Sequence, residues 1–213
     1  MALKRQIQAV LAADYRGPKA SYSEVDILKA LSAIGKSETN LGRTRLGQLI
    51  GLGQGEVRTL ISRLKSNGLI IVDAKGCAFT EKGKKEFDAV SKSLPYSSKV
   101  EAKSLGLGRF TWSITVRNAE SKIRNGIEQR DASVRAGASG ALTVIYSSGK
   151  FMIPSADKKS AGAADCEALG PSEPWTTIRS EGRPKNGDVI IVSGSETLFL
   201  AEEGALAAAL TIL

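Results

Sequence analysis

The chain has 213 residues, 42% of them apolar and 24% charged, a balance that supports a packed core and argues against disorder. It contains no histidine and two cysteines, which removes the usual general base and the commonest metal ligand and leaves too few thiols for a disulfide framework or a zinc site. No run approaches the roughly 18 to 20 apolar residues that span a bilayer. The net charge of +8 is unevenly placed: residues 1–93 hold 16 Lys+Arg against 9 Asp+Glu, and residues 94–213 hold 14 against 13.

The N-terminal stretch MALKRQIQAVLAADY lacks the hydrophobic region of a signal peptide, so a cytoplasmic protein with reduced Cys77 and Cys166 is expected. Leu3, Ile7, Val10 and Leu11 form a helical stripe, for a helix that packs on its own domain or on a twin subunit. Tyr22 to Ile34 reads as a second helix with Ile27, Leu31 and Ile34 inward. Leu46, Leu49 and Ile50 then mark a third, and Gly51-Leu52-Gly53 a turn. A fourth follows with Val57, Leu60, Ile61 and Leu64 on one face. Asn67-Gly68 ends it with a left-handed cap. Leu69 to Val72 is a strand, Ala74-Lys75-Gly76-Cys77 a basic turn, and Ala78-Phe79-Thr80 the return strand. Thr80 caps a helix from Glu81 to about Ser93, with Phe87, Val90 and Leu94 on one side. This order of elements is that of a winged helix-turn-helix.

Gln54, Arg58, Thr59, Ser62, Arg63 and Lys65 lie off the apolar stripe of the fourth helix. Together with Arg43 and Arg45 before it and Lys75 in the wing, they suit base edges and phosphates. The confined positive charge is what phosphate neutralisation requires, so double-stranded DNA is the expected partner. The same charge would serve RNA or an anionic membrane almost as well, and the plainest alternative is a solvated helix in a module that binds protein. Gly51-Leu52-Gly53-Gln54-Gly55-Glu56 lacks the last glycine of a dinucleotide loop and has no βαβ unit around it.

Residues 91–108, SKSLPYSSKVEAKSLGLG, are rich in Ser, Lys and Gly. They place a linker over 94–108 between a first domain of 1–93 and a second of 109–213. In the second, Phe110, Trp112, Ile114 and Val116 alternate with polar residues as in a half-buried strand, followed by a helix from Asn118 to Ala136. ALTVIY (141–146) is apolar on both faces and belongs in a covered sheet, with the helix as its crossover. Ser147-Ser148-Gly149 turns the chain into Phe151-Met152-Ile153. Pro154 to Gly187 reads as a long irregular excursion with a short helix at Trp175 to Arg179, of the kind that carries lids or binding loops. Asp188 to Ser193 returns as a strand before a final helix from Glu196 to Leu213, packed through Leu206, Ala209, Leu210 and Leu213. The class is α+β, the second domain having a mixed sheet and packed helices.

Arg130 and Asp131 interrupt the stripe of Ala119, Ile123, Ile127 and Val134. A charge facing a core is costly unless paired, so they either close a structural network, with Arg135 four residues after Asp131, or face a polar cavity. Arg124 and Glu128 make only a surface pair. Ser193-Gly194-Ser195, where strand gives way to helix, is a candidate anion site, or simply a helix start capped by Ser195. Gly137 reads as a helix cap, and Gly140 as a point of close backbone approach. If Arg130, Asp131, Gly140, Ser193, Gly194 and Ser195 converge, they form a pocket for a small anionic or hydroxylated effector.

Leu41 to Ile70 resembles winged-helix transcription regulators, and NGIEQRDASVRAGASGALTVIY with GDVIIVSG resembles an uncharacterised archaeal family. The resemblance implies regulation without identifying a signal; joined to the confined positive charge and the polar helix face, it leads to a DNA-binding regulator, with no metal, cofactor or catalytic residue expected, whose second domain senses a ligand or mediates dimerisation. The N-terminal or C-terminal helix would form the two-fold contact of a homodimer. The alternative is an enzyme acting on a small phosphorylated or nucleotide-like substrate through Asp131, Glu128 and Asp188, with the winged helix recruiting it.

Overall fold

Gly51 adopts φ 77°, in the left-handed region that side chains avoid, and so ends helix α3 (Arg43–Ile50) and lets α4 (Gln54–Ser66) start two residues later. The computed structural model describes residues 2–12, 21–155, 164–170 and 172–213. It divides into two units, Met1–Ser91 and Lys92–Leu213.

In the first unit α1 (Ala2–Ala12) and α2 (Glu24–Lys36) precede the α3–α4 pair. A reciprocal cap starts α2: Asp26 N–H donates to the Ser23 hydroxyl at 3.3 Å and Ser23 N–H to the Asp26 carboxylate at 2.7 Å. Ile27, Leu28 and Leu31 of α2, Leu46 and Ile50 of α3, and Val57, Leu60 and Leu64 of α4 are at most 2% exposed, which makes them the core. Leu49, expected inward, is 44% exposed. β1 (Ile70–Asp73) and β2 (Gly76–Phe79) form an antiparallel hairpin, and Leu41 adds a bridge to Cys77. The Asp73 carboxylate accepts the Lys75 and Gly76 amides at 2.8 and 3.1 Å, which sets the tight turn of the wing. The Thr80 hydroxyl accepts Gly83 N–H at 3.0 Å and so caps α5 (Glu81–Ser93). The result is a winged helix-turn-helix with an added N-terminal helix.

The second unit is a five-stranded sheet in the order β3 (Tyr96–Val100), β4 (Phe110–Val116), β7 (Asp188–Ser195), β5 (Gly140–Ser147), β6 (Lys150–Met152). All four pairings are antiparallel. The α+β class stands, but the sheet is antiparallel where a mixed one was expected. β4 and β5 do run the same way, joined through α6 (Ile127–Arg135), yet β7 enters between them and pairs with both. ALTVIY therefore lies beside an antiparallel neighbour. All eight residues of β7 are buried because both faces of the sheet are covered. Helices α6 and α9 (Leu198–Leu210) cover one face. Ile190 and Val192 project from the other into a cluster with Tyr96, Phe151, Ile178 and Trp175, to which α7 (Cys166–Leu169) and α8 (Trp175–Thr177) contribute.

Two expected boundaries shift. Residues 94–108, expected as a linker, contain the edge strand β3 and a 3-10 turn at Lys103–Leu105. Tyr96 and Val100, four residues apart and so on one face of β3, point into the core. The single helix expected from Asn118 to Ala136 is instead a 3-10 turn at Glu120–Lys122 followed by α6, because Gly126 at φ 80° breaks it. No helix among the described residues is long and apolar enough to cross a membrane.

Candidate nucleic-acid interface

Helix α4 presents Gln54, Arg58, Ser62 and Lys65 to solvent, at spacings of four, four and three residues that keep them on one side of a 3.6-residue helix. Its opposite side carries Val57, Leu60 and Leu64 into the core. Beside the exposed stripe lies a groove of about 370 Å³ whose walls include Arg43 from the start of α3, Arg58 and Ile61 from α4, and Val72 and Lys75 from the wing. Three cations from three elements thus border one concavity. Asp73 also lines it, but that carboxylate is engaged with the wing amides and lies 3.4 Å from the Asn40 amide nitrogen. Cys77 lies in the same wall. Burial pushes its thiol pKa up and Asp73 adds to the effect, so it stays neutral at physiological pH.

Of the other residues expected at the interface, Arg45 is exposed on α3 but is not part of the groove wall. Thr59 is half-buried and its hydroxyl donates to the Gly55 carbonyl at 3.0 Å. Arg63 does not face solvent at all. It is 6% exposed, and its guanidinium donates to the Leu11 carbonyl at 2.6 Å and to Val10 at 3.4 Å. It also stacks 5.6 Å from the Tyr22 ring centroid. The reason is rotational: Arg63 falls roughly 140° around α4 from the centre of the exposed stripe at 100° per residue. There it reaches the C-terminal end of α1, where free carbonyls and the helix dipole favour a cation.

The effector pocket expected in the second unit is not assembled. Arg130 and Asp131 pair with each other at 3.0 Å on the exposed face of α6, with side chains 57% and 47% exposed. Of the apolar stripe that placed them inward, Ala119 and Ile123 are buried, but within α6 it is reversed, since Ile127 and Val134 are each 48% exposed while Gln129 and Ser133 are buried. Gln129 donates to the Thr211 hydroxyl at 2.7 Å. The Ser133 and Ser193 hydroxyl oxygens lie 2.9 Å apart, directly under Gly204 of α9, where a Cβ would come within 2.5 Å of both. Ser195 is a buried strand residue, and Thr197 caps α9 instead. Gly140 and Gly194 face each other across β5 and β7, and the close approach they permit is made by the chain's own Leu107, 2.5 Å from where a Gly194 Cβ would be.

The carboxylates weighed for catalysis fare no better. Asp188 is 1% exposed, paired with Arg117 and accepting the Asn118 and Lys185 amides at 3.0 and 2.7 Å. It pins the start of β7. Glu128 is exposed in the first turn of α6. A feature with no clear mark in the sequence is the seating of Arg179, which pairs with Glu167, donates to the Gly149 carbonyl at 2.6 Å, and stacks 5.0 Å from the Phe151 ring centroid. The Glu167 pair raises its already high pKa, so it is a fixed charge that ties Glu167 to the β5–β6 hairpin.

Residues 107–212 match the family model of a domain of unknown function, DUF4443. The match begins at Leu107, where the chain crosses Gly194, and takes in β4 to α9, so every strand of the second sheet except β3 lies in the DUF4443 segment. A solved structure of a hypothetical protein, PH0730 from Pyrococcus horikoshii OT3, superposes with a TM-score of 0.70 at 22% identity, covering 90% of this chain and 93% of that one. It shares the fold across both the winged helix and the DUF4443 segment. No curated protein matches the chain.

Proposed function

We propose that the chain is a DNA-binding transcriptional regulator whose first unit seats α4 in the major groove of a duplex and rests the wing on the sugar-phosphate backbone. The observation that carries this reading is the convergence of Arg43, Arg58 and Lys75 on one groove beside the exposed stripe of α4. Phosphate contacts fix register, and base contacts supply selectivity. Arg58, in the second turn of α4 and at the groove wall, suits the O6 and N7 acceptors of guanine, and Gln54 one turn earlier suits the N6 and N7 edge of adenine. Arg43 and Lys75 flank them as phosphate contacts. Arg63 is excluded from this set by its position behind the helix. The second unit serves assembly in this reading, since the residues that would have gripped an effector are engaged with one another or exposed.

The test is a titration of the purified chain with labelled genomic duplexes, its own promoter region included, over a salt series. Selective binding with a steep negative salt slope is expected, and Arg58→Ala should reduce preference among sequences. Absence of salt-dependent binding to any duplex would overturn the proposal.

A further inference from the structure

The two helices expected to form a homodimer are engaged within the protomer: Ile7 and Val10 of α1, and Leu206, Ala209 and Leu210 of α9, are all buried in their own units. Helix α6 differs. Its outward face carries Ile127 and Val134, each 48% exposed, with the Arg130–Asp131 ion pair between them. At 100° per residue these four positions span about 100° of the helix surface, opposite the buried Gln129 and Ser133. Phe199, 45% exposed, begins the neighbouring helix α9, whose Leu200 packs on Gly137 just past the end of α6.

We infer that this face of α6 is a contact with a second copy of the chain. The four residues are symmetric about the midpoint between Arg130 and Asp131. A two-fold axis through that midpoint runs the second helix antiparallel, sets Ile127 against the partner's Val134, and brings Arg130 beside the partner's Asp131. The pattern is its own complement in both apolarity and charge, which is the requirement of an isologous interface. An unrelated partner would not call for that symmetry. Across the axis the two intramolecular ion pairs merge into a ring of alternating charge, and networks of this kind hold better than isolated surface pairs. A nine-residue helix offers less than the ~800 Å² per partner of a tight complex, so the dimer is of the weak class with micromolar dissociation. It is independent of whether the first unit binds DNA.

Sedimentation equilibrium of the full chain from about 1 to about 300 µM should show a monomer–dimer equilibrium. Val134→Lys and Arg130→Asp should each weaken it at least ~10-fold, and the exchange Arg130→Asp with Asp131→Arg should restore it to within about threefold. Orientation is read by oxidising an equimolar mixture of the Ile127→Cys and Val134→Cys chains. A disulfide is expected in the mixture far above either variant alone, and the native Cys77 and Cys166 are buried. Monomer throughout the range, a dimer unmoved by Val134→Lys and Arg130→Asp, or equal cross-linking of each variant alone would overturn the inference. All the substituted positions are exposed or half-exposed, and the cross-linking arm stands even if a charge variant misfolds.

Discussion

Arg63, on the helix that carries the exposed stripe, donates a 2.6 Å hydrogen bond to the carbonyl of Leu11, at the end of the N-terminal helix. One side chain thus closes the C-terminus of α1 and ties it to the rear of α4. Removing it leaves buried carbonyls without a charged donor. Arg63→Met should destabilise the first unit by about 1–3 kcal/mol and raise amide exchange in α1, with urea denaturation and hydrogen exchange as the readouts. Below its melting range the same variant should keep the wild-type salt slope on DNA, because Arg63 touches no phosphate in the proposed complex.

Lys75 makes the opposite case. It projects from the wing turn at the groove, and its amide, not its ammonium, is what Asp73 holds. Lys75→Ala should leave the melting temperature unchanged, weaken binding to all duplexes alike, and reduce the logarithmic salt slope by about 0.9. A fluorescence-anisotropy salt series decides it, and an unchanged slope would remove the wing from the proposed interface.

Gly204 lies over the Ser133–Ser193 hydroxyl pair, with Ala138 Cβ also within 2.6 Å of where its own Cβ would be. Gly204→Ala should therefore cost about 1–3 kcal/mol by overpacking, measured as a shift of the denaturation midpoint with an unchanged m-value. A neutral result would mean that α9 can lift from the sheet without loss.

Alkaline pH should loosen the second unit. Burial, reinforced by Asp165 and Glu167, pushes the Cys166 thiol from 9.0 to about 11, and burial with the adjacent Glu181 pushes Tyr96 to about 12. Both folded-state values lie above the unfolded ones, so the folded chain holds these protons longer. That stability is complete below about pH 9 and is lost as pH rises through the folded values. Melting temperatures taken between pH 8 and 11 should fall, and Cys166→Ala should flatten the early part of the decline.

The first unit was readable because local rules and tertiary packing agree there. Val57, Leu60 and Leu64 repeat at helical spacing and are all buried, and Gly51 and Gly68 both take the left-handed conformations that the turn and the cap need. Arg63 escaped because its partners come from α1, more than fifty residues earlier. In the second unit periodicity misled. The buried face of α6 is polar, and it can be so only because Thr211 and Ser193 wait on other elements. Asn125-Gly126 was a readable break, and Tyr96-Ser98-Val100 a readable alternation. The surrounding serines and lysines of 91–108 hid the latter, since an edge strand bonded on one side tolerates polar residues.

The placement of β7 has a consequence in time. β4 and β5 each find their inner neighbour only in Asp188–Ser195, long after β4 ends at Val116 and β5 at Ser147. Until that segment docks, the winged helix can close on its own nearby contacts, but the sheet lacks its middle rung and both inner strand edges stand open. The second unit therefore closes only once β7 is in place, and a truncation before Asp188 should leave a sound winged helix joined to an aggregation-prone remainder.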